Sequence, residues 1–222
     1  MTNALWYTAR STGVISLLLL TVVVVLGIGT RAGRPVFGLP RFAVSLVHRD
    51  ASLIATVLIA VHVTTLLADP FAQLKLVDIL VPFDGAYRPA WVGLGTTALD
   101  LLLAIVVTSL LRRRLGARTF RVVHWLAYAM WPVAWLHGIG SGTDRGSSWY
   151  LALAVAAAAA VVAAVAWRLS DGFTTLAGRR LRRGVPAWLA DDASERQTRH
   201  DAASQRAGAT RAPAPTGIGG TR

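Results

Sequence analysis

Histidine carries the richest chemistry in this 222-residue chain, which has five of them and no cysteine. The absence of thiols excludes disulfide frameworks, iron–sulfur clusters, thiolate zinc sites and thiol nucleophiles. Imidazole is then the one strong soft-metal ligand left. It binds a metal through one ring nitrogen while the other donates a hydrogen bond. His48 and His62 have thirteen residues between them, His124 and His137 twelve. His200 stands in a polar tail and is given no role.

The elements that position these rings are written in the composition. Hydrophobic residues make up 54% and charged residues 15%, against about a quarter charged in a soluble domain. Five apolar stretches of membrane-helix length run over 13–29, 44–68, 91–111, 119–140 and 148–167. The first has only Arg10 ahead of it and no cleavage site behind it, so it reads as a span rather than a signal peptide. The predicted fold is an all-α membrane protein, a bundle of five transmembrane helices. The organisation is an N-terminal segment 1–12, a membrane domain 13–170, and a basic juxtamembrane segment with a disordered tail over 171–222.

The net charge of +12, from 22 Arg and one Lys, reports topology before it reports nucleic-acid binding. Arg31, Arg34 and Arg41 follow the first span. Arg112, Arg113, Arg114 and Arg118 follow the third, and Arg179, Arg180, Arg182 and Arg183 follow the fifth. The second and fourth loops mix acids and bases: Asp69, Asp78 and Asp84 with Lys75 and Arg88, then Asp144 with Arg145. The positive-inside rule places the N-terminus outside and the C-terminus in the cytoplasm. The basic cluster before the tail is expected on anionic headgroups.

Four of the histidines fall inside spans, where an ionisable side chain is costly and marks function by default. The second and fourth helices run in the same direction. His48 and His124 lie near their cytoplasmic ends, His62 and His137 near their outer ends. The four sort into two cross-helix pairs at matched depth, about 20 Å apart along the axis. A structural zinc wants four protein ligands, and each pair offers two. A haem brings four nitrogens of its own and needs only two axial ligands, and its apolar ring fits between helices. With both axial positions filled, the iron passes electrons and has no open site for substrate. The fourth helix must rewind for this, since twelve intervening residues leave His137 about 140° from His124 in an ideal helix. Pro132 can kink the helix, and a tighter turn near it is expected to bring the two rings closer to one face.

The double spacing resembles the ferric reductase transmembrane family, which includes the NADPH oxidases and the haem-bearing membrane subunit of a bacterial methionine sulfoxide reductase system. HRD at 48–50 and RVVHWLAYAMWPVAWLH at 121–137 are similar to it as well, and the likeness covers about residues 13–167. The resemblance implies two b-type haems, His48 with His124 inside and His62 with His137 outside, and electron flow across the membrane. Larger relatives continue into a flavin and nicotinamide domain. This sequence has no G-x-G-x-x-G, and flavin is expected only through a partner. The donor is then expected to be a separate flavoprotein or a quinone.

Haem propionates need cations. Arg49 and Arg121 are the candidates at the inner depth, with Arg31 and Arg34 in the adjoining loop and Arg88 and Arg145 at the outer. Each also serves topology. Asp100 reads as a structural hydrogen-bonding residue, a partner for Arg88 or a proton relay. Trp125, Trp131 and Trp135 read as packing or interface anchors. The expected function is membrane electron transfer, as an oxidoreductase component that depends on a partner. The alternatives are a haem-free transporter of metal ions or protons using His62, His137 and Asp100, and a structural anchor acting through the basic tail.

Overall fold

The computed structural model describes residues 2–170 apart from 33, 34, 36, 37, 71, 86 and 143. They belong to one compact unit, Met1–Thr174. Arg34, the arginines of 179–183, the tail and His200 lie outside the described residues.

All regular elements among the described residues are helices: α1 (Thr2–Gly29), α2 (Arg41–Ala68), α3 (Leu76–Leu80), α4 (Pro89–Leu110), α5 (Arg112–His124), α6 (Ala127–Ser141) and α7 (Ser148–Leu169). Helices satisfy every backbone group internally, which lipid demands. Pro40 caps α2 and Pro89 opens α4 at its first position, where a missing N–H costs nothing. Four helices are long and apolar enough to cross a bilayer: Ala4–Gly29, Phe42–Ala68, Pro89–Leu110 and Ser148–Leu169.

α1 is the hub. It packs against α2, α6 and α7, and half of its apolar window is buried against 11% for α2. Leu20, Val24 and Ile28 of α1 meet Ala98 and Leu102 of α4, Met130 and Trp131 of α6, and Ala157, Val161 and Ala164 of α7. The small side chains of α7 let backbones approach closely, which drives helix association where there is no water to expel. α1 also begins earlier than its apolar run. Residues 2–12, read from sequence as a separate segment, are its first three turns.

The expected single helix over 119–140 is two helices. α6 alone has 15 residues, about 22 Å of length, short of about 30 Å of hydrocarbon. The break falls at Trp125–Leu126 and not at Pro132, which α6 contains. Trp125 (φ −64°, ψ −22°) and Leu126 (φ −60°, ψ −18°) have 3₁₀ dihedrals. The amides of 125, 126, 128 and 129 each donate three residues back. A proline clashes with the carbonyl four residues before it, here Tyr128, so the strain is absorbed ahead of the ring. Each residue wound at three per turn adds about 20° over the α-helical step, and four of them recover over half of the missing rotation. Arg168 of α7 clamps this turn. It donates to the Tyr128 hydroxyl at 3.1 Å and stacks over Trp125 and Tyr128.

Candidate functional site

Three of the four histidines of the expected spans are seated in one way. His48 donates from Nδ1 to the Val23 carbonyl at 2.9 Å, and His62 from Nδ1 to the Ala9 carbonyl at 2.7 Å. The histidines step by fourteen along α2, and the acceptors step by fourteen in the opposite sense along α1. His137 donates to the Trp91 carbonyl of α4 at 2.8 Å. A carbonyl oxygen only accepts, so Nδ1 carries the proton in all three rings and Nε2 keeps its lone pair. That is the tautomer a metal-ligating imidazole needs.

A glycine lies one helical turn past each acceptor. A Cβ at Gly13 would stand 2.9 Å from His62 Cε1, at Gly27 3.2 Å from His48 Cε1, and at Gly95 2.5 Å from His137 Cε1. The rings lie flush on neighbouring backbones that any side chain would hold off. Trp91 is fixed in turn, since its indole covers Gly140 of α6. His124 departs from the scheme. Its Nδ1 is buried and has no hydrogen-bond partner, and its ring packs on Phe120 at 5.2 Å between centres.

The structure brings His48 and His124 together, with ring centres 6.3 Å apart and planes at 78°. Two imidazoles facing each other across one metal ion would hold their ring centres about 6.2 Å apart, from metal–nitrogen bonds of about 2.0 Å and about 1.1 Å from nitrogen to ring centre. His62 and His137 line one cavity of about 420 Å³, within the range of cofactor sites. Leu20, Ile59, Leu102 and Met130 supply its apolar wall. Each pair thus offers two imidazole donors, the set a haem would take. Among the described residues no group of three or more His, Cys, Asp or Glu is placed to hold a metal ion, which leaves each pair as two ligands.

The chain's match to known families covers residues 12–135 and is to the ferric reductase like transmembrane component. The chain belongs to that family. His48, His62 and His124 lie inside the matched region of this ferric reductase-like chain, and His137 two residues beyond it. No curated protein and no solved structure matches it.

The arginines expected at the inner depth are exposed. Arg49 pairs with its neighbour Asp50 at 3.0 Å, and Arg121 donates to the Ala117 carbonyl at 3.1 Å. Arg88 donates to the Gly140 carbonyl at 3.1 Å, joining α4 to α6 rather than meeting Asp100, which is half-buried. Trp131 donates to Thr21 Oγ1 (3.0 Å) and Trp135 to the Ala154 carbonyl (2.9 Å), so both tie α6 to its neighbours. Sequence reading missed Arg10, which lines the cavity with His62 and is ion-paired with Asp144. It also missed the three carbonyls. Backbone acceptors leave no mark in a sequence, but Gly13 and Gly27, spaced as His48 and His62 are, were a readable sign.

Proposed function

We propose that this ferric reductase-like membrane protein is a two-haem electron carrier. It moves electrons across the bilayer between a separate donor, a flavoprotein or a quinone, and an acceptor on the other face. The observation that carries the reading is the His48–His124 separation of 6.3 Å, with His48 already committed through Nδ1. His48 and His124 would hold one haem, His62 and His137 the other. A bound haem would supply an iron that gains and loses one electron. The protein's part is to hold each ring by its Nδ1 proton, to keep Nε2 free of protons, and to exclude water with the apolar walls around His62 and His137. Such a carrier is an oxidoreductase component that works through a partner.

The proposed arrangement has five crossings, with α5 and α6 forming the fourth. Loop charges support an N-terminus outside and a cytoplasmic C-terminus in the cell membrane. Arg49 and Arg121 are proposed to meet propionates at the His48–His124 end.

The test is a reduced-minus-oxidised spectrum with haem quantified on the purified full chain. Two haems per chain, each with a bis-histidine spectrum, are expected. Fewer than two under full haem supply, or metal-ion flux by haem-free protein in liposomes, would overturn the reading.

A further inference from the structure

We infer that the two histidine pairs hold an electron unequally, and that the His48–His124 site is the one of higher potential. The inference rests on the two-haem reading and on differences between the ends of this chain.

The first difference is the count of backbone acceptors. At the His62–His137 end both rings donate from Nδ1 to a carbonyl, Ala9 and Trp91. At the other end only His48 does, to Val23. The Nδ1 of His124 is buried and unpartnered. A carbonyl pulling on the Nδ1 proton makes Nε2 a stronger electron donor. A stronger donor favours the ferric state and lowers the potential. Ala9, Val23 and Trp91 are thus positioning residues that also tune the iron, and the His48–His124 site has one such contact where the other has two.

Fixed charge is the second, independent difference. Reduction removes one positive charge from a bis-imidazole haem, so nearby cations favour the reduced form. Arg31 stands exposed four residues beyond Gly27, the residue the His48 ring packs on, and it makes no ion pair among the described residues. Arg112, Arg113, Arg114, Arg118 and Arg121 stand exposed on the short helix that His124 ends, which holds no acidic residue. At the opposite end the cavity arginine, Arg10, is neutralised by Asp144. Buried Asp78 lines the same cavity. Both differences act in one direction. An electron shared between the sites rests at the arginine-rich end until an acceptor draws it across.

Potentiometric titration of the purified full chain, followed in the haem α-band, tests this. Two one-electron waves are expected, and the wave that survives in His137→Ala should be the higher one. A tenfold preference of the electron for that site corresponds to a separation of about 59 mV. Arg31→Gln is a second variant, at an exposed side chain just past the end of α1. It should lower the higher wave and leave the lower one in place. The inference is overturned if the surviving wave is the lower one, if the two waves coincide, or if Arg31→Gln moves only the lower wave. Two haems with the order reversed overturn this inference alone. Fewer than two haems overturn the proposed function with it.

Discussion

The two ends of the bundle hold the same pair of side chains by different means. At the His62–His137 end, both rings lie on the backbones of long crossing helices, α1 and α4, against Gly13 and Gly95. At the His48–His124 end, His48 lies on α1 in the same manner, but His124 closes a short helix, α5, that contains no buried residue. α5 is interrupted at Gly116 (φ +81°) and followed by the 3₁₀ turn at 125–126. One end is thus fixed by the packing of whole helices. The other depends on a short element held by local contacts. A ligand geometry set by long helices is stiff, and one set by a short segment follows whatever that segment touches.

Removing a ligand has the largest expected effect at either end. His137→Ala and His124→Ala should each lower the haem count from two to one per chain, measured as pyridine haemochrome against protein. Retention of both haems in either variant would break the assignment of that pair.

The glycine contacts grade the comparison. Gly95→Ala drives a methyl to 2.5 Å from the His137 ring, while Gly27→Ala approaches His48 only to 3.2 Å. Overpacking of this kind costs about 1–3 kcal/mol. We expect Gly95→Ala at the upper part of that range, Gly13→Ala below it and Gly27→Ala least, read from thermal unfolding in detergent. Equal melting temperatures for Gly95→Ala and Gly27→Ala would mean that the helices slide apart as easily as the rings turn.

Arg168 should matter to one end only. Arg168→Gln removes the stack on Trp125 and weakens the bond to Tyr128, about 1–2 kcal/mol for a charged donor and its aromatic contacts. The expected result is earlier thermal release of the His48–His124 haem, with the other unchanged. Simultaneous loss of both would place Arg168 in the general stability of α7.

How far the sequence revealed this site follows from what kind of signal each part leaves. The four histidines were legible because polar rings stand out in apolar stretches, and their depth follows from counting residues. The apolar runs marked the helices, since hydropathy and length are what lipid selects. The start of α1 at Thr2 was not legible, because residues 2–12 include Arg10 and polar side chains. Yet Ala9 and Arg10 in that stretch serve the His62 end. Pro132 pointed to a tighter turn nearby, and that turn lies at 125–129, ahead of the proline rather than at it. The isolated turn α3 was read as loop, and its carbonyl at Asp78 accepts from Thr96 at 2.7 Å, a tertiary contact. The missing partner of His124 has no sequence signal at all, because it is a matter of which backbone passes behind the ring.

The smallest expected effects concern the two ion pairs, one at each end. Arg10–Asp144 joins α1 to the segment between α6 and α7, with side chains 31% and 16% exposed. Arg49–Asp50 joins sequence neighbours that are 67% and 57% exposed. Solvent screening and side-chain entropy leave an exposed pair of neighbours with about 0–0.5 kcal/mol. The half-buried pair bridges distant segments, and its coupling should be about 1 kcal/mol after discount for its remaining exposure. Double-mutant cycles built from Arg10→Gln with Asp144→Asn, and Arg49→Gln with Asp50→Asn, measure both in detergent melts. A larger coupling for Arg49–Asp50 would reverse the contrast, since a local pair would then outweigh the one that joins distant segments. Raised salt should shrink the small coupling toward zero and leave most of the larger one, because screening acts on exposed charges first.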